Sequence, residues 1–250
     1  MNKKNIIKTG DALLFSGNTP TGFLLKTSIA SSWNHAGIAI RFKKSNDILE
    51  ISLDNSGELY ILETNSVERY DDFAKQSVVG VGFSKGDWVF QKYTRVAIRP
   101  LHNKFRNQKL IESTLKFYNN YKSTKFPGGI LPFFEVWIGV IFRSKNELKK
   151  EMFCSEIMAN YYLESIGEQY EFENNQKFSG DLKLLFGPEA PETADLFTPE
   201  HYTYRKTPNS AIFFGSEQTI YVSSSDLFYV ILQPLLIILF FMLVIWMLLR

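Results

Sequence analysis

The stretch KKEMFCSEIMANYYLESIG, residues 149–167, contains the only cysteine of the chain, Cys154. Ser155 and Glu156 follow it, and such residues suit the start of a helix. We therefore predict a helix that begins at Cys154. A cysteine in the first turn of a helix feels the positive end of the helix dipole, which favours the thiolate. The alternative is an inert core residue, because unpaired cysteines are among the most buried residue types.

The composition indicates a folded protein with a balanced charge. Of 250 residues, 45% are hydrophobic and 22% are charged, which is enough apolar material for a packed core in one or two domains. The net charge is only +2, whereas nucleic-acid binding usually requires a clearly basic surface, so we predict no nucleic-acid partner. A single cysteine cannot form an internal disulfide, which fits a reducing compartment.

The C-terminal part differs from the rest of the chain. Residues 228–249, FYVILQPLLIILFFMLVIWMLL, carry no charge. At about 1.5 Å per residue this run is long enough for a bilayer core of roughly 30 Å, although a buried core helix is the alternative. We predict a globular domain over 1–225 and a C-terminal transmembrane tail anchor over 226–250. Without a signal-peptide pattern, the expected topology is single-pass, with the domain facing the cytosol.

The remaining patterns predict an α+β fold, in which a small antiparallel sheet packs against helices. An amphipathic helix is expected over 105–121, and residues 168–200 are expected to be mostly loop. The stretch 126–142 is apolar but interrupted by glycine and proline, and we interpret it as a buried or membrane-facing insert. Single short strands are predicted at 10–15, 35–42 and 94–101. Two strands are predicted within 47–65, around the turn DNSG, and one or two more within 210–225.

A thiolate nucleophile needs a base, which is usually histidine. The chain has three histidines. His102 and His201 lie in polar segments that we predict to be loops. His35 instead opens the strand HAGIAI, where small neighbours leave room for a substrate and a partner side chain. The alternative is a structural histidine whose hydrogen bonds are satisfied in the core.

A third group should orient the imidazole. Glu63, in LYILETNSV, ends an apolar run, and it can meet His35 across the sheet if their strands are neighbours. The alternative is an ordinary carboxylate at a strand end. A metal site built from His35, Glu63 and Cys154 is a further alternative. No close-spaced ligand pair such as C-x-x-C or H-E-x-x-H occurs, so we predict neither a metal nor another cofactor.

Four motifs, taken in this order, resemble those of a known family. They are GDALLF (10–15), NHAGIAI (34–40), YILETN (60–65) and MFCSEIMANYY (152–162). They resemble the permuted papain-fold cysteine peptidases and amidases of the NlpC-type superfamily, in its poxvirus-like and YiiX-like branch. The resemblance covers roughly residues 8–205, and LFTPEHY (196–202) is similar to a late segment that the family places at the cleft.

The resemblance implies a circularly permuted papain-like fold and a role for each candidate residue. Cys154 would be the nucleophile, His35 the general base and acid, and Glu63 the group that orients His35. Asp11 would shape a turn beside the site. Trp33 and Tyr161 could line a pocket, although we prefer to interpret both as core residues. The insert and the anchor are not core features of the family.

The expected function is that of a membrane-anchored cysteine hydrolase or acyltransferase. It would act through an acyl-enzyme on an amide or ester bond, with a peptide or an acyl-lipid as substrate and the lipid bilayer as partner. The alternative is a catalytically inactive papain-fold membrane scaffold that binds a peptide or lipid. The abundance of Lys, Asn, Ile and Phe, together with the motif spacing, suggests a viral protein from a large DNA virus, located in a virion or host membrane.

Overall fold

The computed structural model describes residues 3–17, 26, 31–46, 48–126, 153–174, 186, 202, 214 and 218–222. These residues have a mixed architecture with one antiparallel sheet and helices packed on it, in agreement with the predicted α+β class. The strands are β1 Ala12–Ser16, β2 His35–Ser45, β3 Ile48–Ser52, β4 Glu58–Asp71, β5 Gln76–Lys85, β6 Arg95–Arg99 and β7 Gln218–Val222. The helices are α1 Gly86–Lys92, α2 Gln108–Tyr121 and α3 Cys154–Asn174.

The strand order places the two predicted site strands side by side. The sheet runs β5-β4-β2-β1-β6-β7, and β3 pairs with β2 outside this path. Each of these pairs is antiparallel. Strand β2, which His35 opens, therefore lies directly beside β4, which carries Glu63. Neighbouring antiparallel strands bring side chains on the same face within reach of one another.

Both faces of the sheet are covered. Successive residues of a strand point to opposite faces, and β1 shows this: Leu13 and Leu14 belong to different apolar clusters. The cluster with Leu14 includes apolar residues of α2 and α3. The cluster with Leu13 includes Val89 and Phe90 of α1. A strand buried on both faces carries a nearly continuous apolar run, as ALLF at 12–15 does.

Asp11 holds the turn that leads into β1. Its Oδ2 accepts a hydrogen bond from the Lys8 N–H at 2.8 Å, and its Oδ1 accepts one from the Leu101 N–H at 2.9 Å. The guanidinium of Arg106 also donates to Oδ1. The carboxylate thus ties its own turn to the backbone at Leu101 and to the side chain of Arg106, which matches the turn-shaping role expected for it.

The two aromatic residues considered as pocket linings are core residues. Trp33 and Tyr161 are both almost completely buried in the cluster that contains α2 and α3. The Tyr161 hydroxyl shares a hydrogen bond of 2.8 Å with Thr114 Oγ1 of α2. The guanidinium of Arg95 lies 4.2 Å from the centre of the Trp33 ring. Packing against the sheet accounts for both residues.

Strand β5 was missing from the sequence prediction because glycines interrupt its pattern. Its sequence QSVVGVGFSK includes Gly80, whose φ is +104°. A Cβ at Gly80 would lie 2.2 Å from the Thr124 carbonyl oxygen, and the neighbouring Val81 N–H donates to that oxygen at 3.0 Å. The position therefore requires glycine for a close approach of two backbones, and the strand lacks the alternation that would reveal it.

Helix α3 is longer than predicted. The loop prediction for 168–200 is wrong over 168–174, because the helix continues to Asn174. Gln169 stabilises this extension: its amide nitrogen donates to the Ser165 carbonyl at 3.1 Å, and its amide oxygen accepts from Asn107 Nδ2 at 3.0 Å.

Several predicted features lie outside the described residues. These are the insert 126–142 beyond its first residue, His201, and the tail 226–250. Within the described ranges, no helix combines the length and the apolar character needed to cross a bilayer.

Candidate active site

The register of β2 and β4 brings His35 and Glu63 into contact. Ile38 pairs with Leu62, so the alternation of side chains places His35, Gly37 and Glu63 on one face. His35 Nε2 lies 2.5 Å from Glu63 Oε2. His35 is 6% exposed and Glu63 is completely buried. The contact is therefore a hydrogen-bonded pair shielded from water.

The glycine of the HAG motif allows this close approach. A Cβ at Gly37 would lie 2.5 Å from Ile61 Cγ2 and 3.2 Å from the carbonyl oxygen of Leu62. It would also lie 3.5 Å from the Cβ of Glu63. The missing side chain lets β2 and β4 come together where the carboxylate reaches the imidazole.

Cys154 occupies the first residue of α3, as predicted from the sequence. The Ile157 N–H donates to the Phe153 carbonyl at 3.0 Å, which makes Phe153 the residue that precedes the first helical turn. The Phe153 N–H in turn donates to Glu156 Oε2 at 3.2 Å. A glutamate at this position that reaches back to the start of the helix is half of a capping box. The sequence CSE thus fixes the start of the helix at the thiol.

The thiol lies beside the imidazole. Cys154 is 6% exposed, and it is close enough to His35 to influence the pKa of the ring. Burial lowers the pKa of His35, but the negative charges of Cys154 and Glu63 and hydrogen bonds to both side chains raise the pKa to about 10. Because Glu63 engages Nε2, Nδ1 is the ring nitrogen left for the sulfur. The ring therefore lies between a carboxylate and a thiol.

The Glu63 carboxylate has partners that the sequence did not reveal. Burial raises the pKa of Glu63, but the His35 charge and hydrogen bond, the Arg69 charge and the Ser84 hydrogen bond lower the pKa to about 2. Ser84 Oγ donates to Glu63 Oε1 at 2.6 Å. Arg69 Nε lies 3.8 Å from the same oxygen. An ionised Glu63 can only accept, so His35 Nε2 donates to it.

Aromatic rings cover the imidazole. The Tyr93 ring is parallel to the His35 ring, with an interplanar angle of 2° and centroids 5.5 Å apart. The Phe15 ring is tilted, with its centroid 5.6 Å from that of His35. Burial, followed by the charges of Glu63 and Cys154, raises the pKa of Tyr93 well above its usual value. Sequence patterns did not single out Tyr93, because it follows α1 in a short connection.

The segment 196–202 reaches the Cys154 helix at its last residue, Tyr202, which is described. The Tyr202 hydroxyl donates to the carbonyl oxygen of Ser155 at 2.8 Å, and Arg99 Nη1 donates to the Tyr202 carbonyl at 2.9 Å. Tyr202 thus joins the first turn of α3 to strand β6. His102 lies elsewhere, immediately before a short 3-10 turn, and is half-buried.

This geometry is suited to proton transfer. In the described part of the chain, no three His, Cys, Asp or Glu side chains are placed to hold a metal ion together. A ring held by a carboxylate on one nitrogen can take a proton from a thiol on the other, and can later return it to a leaving group. The helix start adds backbone N–H groups that can stabilise developing negative charge.

Comparisons with known proteins give only a weak similarity. No protein-family model matches the chain, and no curated protein matches it. Among solved structures, the chain is similar to the crystal structure of the metalloprotein YiiX from Escherichia coli O157:H7. The TM-score is 0.41 at 13% sequence identity, over 85% of this chain and 96% of that chain. This is a weak likeness at the level of the overall fold.

We expect Gly37→Ala to disturb the site through the strand spacing. The added methyl group has to displace Ile61 or separate β2 from β4, at a cost of about 1–3 kcal/mol in the free energy of unfolding. Separation of the strands also lengthens the His35–Glu63 contact. Chemical denaturation measures the first effect, and the rate of Cys154 alkylation by iodoacetamide at neutral pH, which we expect to fall, measures the second.

Gly86→Ala is the matched control. A Cβ at Gly86 would lie 2.8 Å from the Leu59 carbonyl oxygen, which is a comparable conflict with β4 away from the carboxylate. It should destabilise the protein and leave the alkylation rate unchanged. Equal alkylation rates in wild type and Gly37→Ala would contradict the role assigned to Gly37.

We also expect His35 to remain protonated at neutral pH. Its pKa is raised from 6.5 to about 10, and Cys154→Ala should lower the pKa by removing the charge of the sulfur. NMR titration of the imidazole, with its signals assigned through His35→Gln, measures both values. A wild-type His35 that titrates near its ordinary pKa, or a pKa unchanged in Cys154→Ala, would show that the sulfur and the ring do not interact.

The same shift predicts how stability depends on pH. The folded-state pKa of His35 exceeds the unfolded value of 6.5, so its contribution is complete below pH 6.5 and is lost as the pH rises through about 10. Denaturation curves in this window should show a falling free energy of unfolding in wild type and a smaller fall in His35→Gln.

Proposed function

We propose that the chain is a cysteine hydrolase or acyltransferase that acts on an amide or ester bond, and that its sheet and helices form a circularly permuted papain-like fold. The observation that carries the proposal is the position of the His35 ring, between the Glu63 carboxylate at 2.5 Å and the Cys154 thiol at the start of a helix. Nucleophile, base and orienting group stand in the order that thiol catalysis requires.

Acylation is the first half of the proposed reaction. The Cys154 thiolate attacks the substrate carbonyl carbon, forming the C–S bond and shifting the carbonyl π electrons to oxygen. The N–H groups of the first helical turn stabilise this oxyanion. As the oxyanion collapses, the C–N or C–O bond breaks and the leaving group takes the proton of His35. The products are a thioester on Cys154 and a neutral imidazole.

Deacylation reverses the roles. His35 accepts a proton from water, or from an acceptor alcohol or amine, as the oxygen or nitrogen of that molecule attacks the thioester carbonyl. The C–S bond breaks, and Cys154 leaves as a thiolate beside the restored imidazolium. Throughout both halves Glu63 stays ionised and holds the ring through Nε2.

The proposed location and substrate rest on the sequence. The uncharged run within 226–250 suits a tail anchor in a lipid bilayer, with residues 1–225 on the cytosolic side of a virion or host membrane. A tethered enzyme meets substrates at the membrane surface, and the apolar stretch 126–142 suits contact with acyl chains. We therefore favour an acyl-lipid over a peptide.

The test is acylation of the full chain in detergent by a p-nitrophenyl acyl ester. Attack by Cys154 releases p-nitrophenol and adds the acyl group to the protein, which intact mass spectrometry detects. Wild type should become acylated on Cys154, and Cys154→Ala should show no such adduct. His35→Gln should react about 10²–10⁴-fold more slowly, because the imidazolium that stabilises the thiolate and protonates the leaving group is lost.

His102→Gln is the matched control, since His102 follows the end of β6 that pairs with Ala12, whereas His35 pairs with Phe15 near the opposite end of β1. It should react at the wild-type rate. Equal acylation of wild type and Cys154→Ala, with both folded by circular dichroism, would contradict the proposal. That result would favour the alternative, a catalytically inactive papain-fold scaffold that binds a peptide or lipid.

A parallel assay distinguishes the substrate classes. In it the wild-type protein is given a peptide, an isopeptide or an acyl-lipid. We expect faster turnover of the acyl-lipid in vesicles than of the two soluble substrates.

A further inference from the structure

The carboxylate of Glu63 uses both of its oxygens. Oε2 holds His35 at 2.5 Å, and Oε1 accepts the Ser84 hydroxyl at 2.6 Å. The nearest described cation on the Oε1 side is Arg69, whose Nε is 3.8 Å from that oxygen. The side chains of Glu63 and Arg69 are 0% and 3% exposed. A second charged group is thus buried directly behind the proposed orienting residue.

An irregularity in the pairing of β4 with β5 places Arg69 close to Glu63. Six residues of regular strand would separate Glu63 and Arg69 by roughly 20 Å, at about 3.3 Å per residue. The pairing with β5 shifts between Asn65 and Arg69, so the partners of Glu63 and Arg69 are Gly82 and Val78, only four residues apart. The long Arg69 side chain can then span the remaining gap.

The glycine opposite Glu63 leaves room for the guanidinium. A Cβ at Gly82 would lie 3.2 Å from Arg69 Nη2 and 2.9 Å from Asp71 Oδ2. Arg69 Nη2 donates to the carbonyl oxygens of Glu63 at 3.2 Å and of Gly80 at 2.9 Å. The guanidinium is therefore enclosed by the sheet. One of its nitrogens, Nη2, binds the backbone of both β4 and β5.

Hydrogen bonding alone does not account for the burial of Arg69. Its Nε and Nη1 are buried and have no hydrogen-bond partner among the described residues. Unpaired buried donors lower stability, and such a group in a folded protein calls for an explanation. Its charge provides one, because Arg69 lies beside two buried carboxylates, Glu63 and Asp71.

We infer that Arg69, together with Ser84, is a positioning residue for the proposed thiol chemistry: Arg69 keeps Glu63 ionised throughout the cycle, and Ser84 fixes which carboxylate oxygen faces the ring. This inference rests on the proposed function. It adds two residues that act through Glu63.

The need for Arg69 arises from the change of charge during the reaction. Before acylation, the positive imidazolium of His35 balances Glu63. After the leaving group takes its proton, the ring is neutral and the buried carboxylate has lost that cation. Arg69 remains charged in both states. Without it, Glu63 would be ionised less completely in the acyl-enzyme and would hold the ring less firmly.

Other charged or titratable groups lie near Arg69 or Glu63, and the test leaves them unchanged. Asp71, next to Arg69, is itself held by the hydroxyl of Tyr118, a residue of α2, at 3.0 Å. The further titratable groups near Glu63 are His35 on β2, Lys92 at the end of α1 and Tyr93 after it.

The experiment measures the pH dependence of Cys154 alkylation by iodoacetamide in the full chain. The acid limb of the rate profile follows the loss of the ionised Cys154–His35–Glu63 arrangement. Arg69→Met should move the midpoint of this limb up by about 1–3 pH units, because a carboxylate next to an arginine has its pKa lowered by about that much. Arg69→Lys keeps the charge and should restore most of the wild-type profile.

Arg41→Met is the matched control. Arg41 is also a buried arginine on the sheet, but it donates to the carbonyl oxygens of Ile7 and Gly57 instead of facing Glu63. Its loss should lower the melting temperature without moving the acid limb. If Arg69→Met and Arg41→Met give the same profile, Arg69 is a structural residue only and the inference fails.

Ser84→Ala keeps the inference testable if Arg69→Met does not fold. With Arg69 intact, loss of the 2.6 Å hydrogen bond should shift the limb in the same direction by a smaller amount. If the midpoint of the acid limb of the alkylation profile does not change in Ser84→Ala, the role assigned to Ser84 is wrong.

Turnover separates this inference from the proposed function. If the wild type hydrolyses no ester or amide but the limb still moves in Arg69→Met, only the proposed function fails. If the wild type turns over substrate and the limb does not move, only the inference fails.

Discussion

The ionised carboxylate of Glu63 is the constraint on which the arrangement of the site depends. A charge removed from water is costly unless it is paired and hydrogen-bonded. Here one oxygen holds the His35 ring, the other accepts the Ser84 hydroxyl, and Arg69 lies 3.8 Å away. These partners come from the three adjacent strands β2, β4 and β5. The ionised state of Glu63 therefore depends on the correct pairing of these three strands.

The sulfur reaches this centre from a helix, so the position of α3 on the sheet sets the second contact of the ring. Helix α3 packs against the sheet through buried apolar residues. Two tyrosines add fixed points: Tyr162 donates to the Gly10 carbonyl at 2.8 Å, and Tyr202 donates to the Ser155 carbonyl at 2.8 Å. Both bonds join α3 to segments distant in the chain. These bonds fix the start of α3, and with it the thiol, relative to the sheet.

The sequence predicted those parts of the site that depend on local patterns. His35 opens a strand with alternating small and branched residues, and Cys154 is followed by residues typical of a helix start; both elements occur as predicted. Glu63 could be predicted only on the condition that its strand lies beside β2, and that neighbour relation exists. The catalytic roles of the three residues remain predictions.

Other parts of the site could not be predicted, because they depend on register and not on periodicity. Ser84 and Gly82 belong to β5, whose glycines hide its strand character. Arg69 approaches Glu63 only because the β4–β5 pairing shifts between Asn65 and Arg69, and no sequence pattern indicates such a shift. Tyr93 stacks on the imidazole from a connection without a motif of its own.

The most direct test of the account is the distance between Cys154 Sγ and His35 Nδ1 in a crystal structure of the full chain at neutral pH. We expect hydrogen-bond contact at about 3–4 Å, with Glu63 still bound to Nε2. A thiol turned away from the ring, more than about 5 Å from either ring nitrogen, would contradict it.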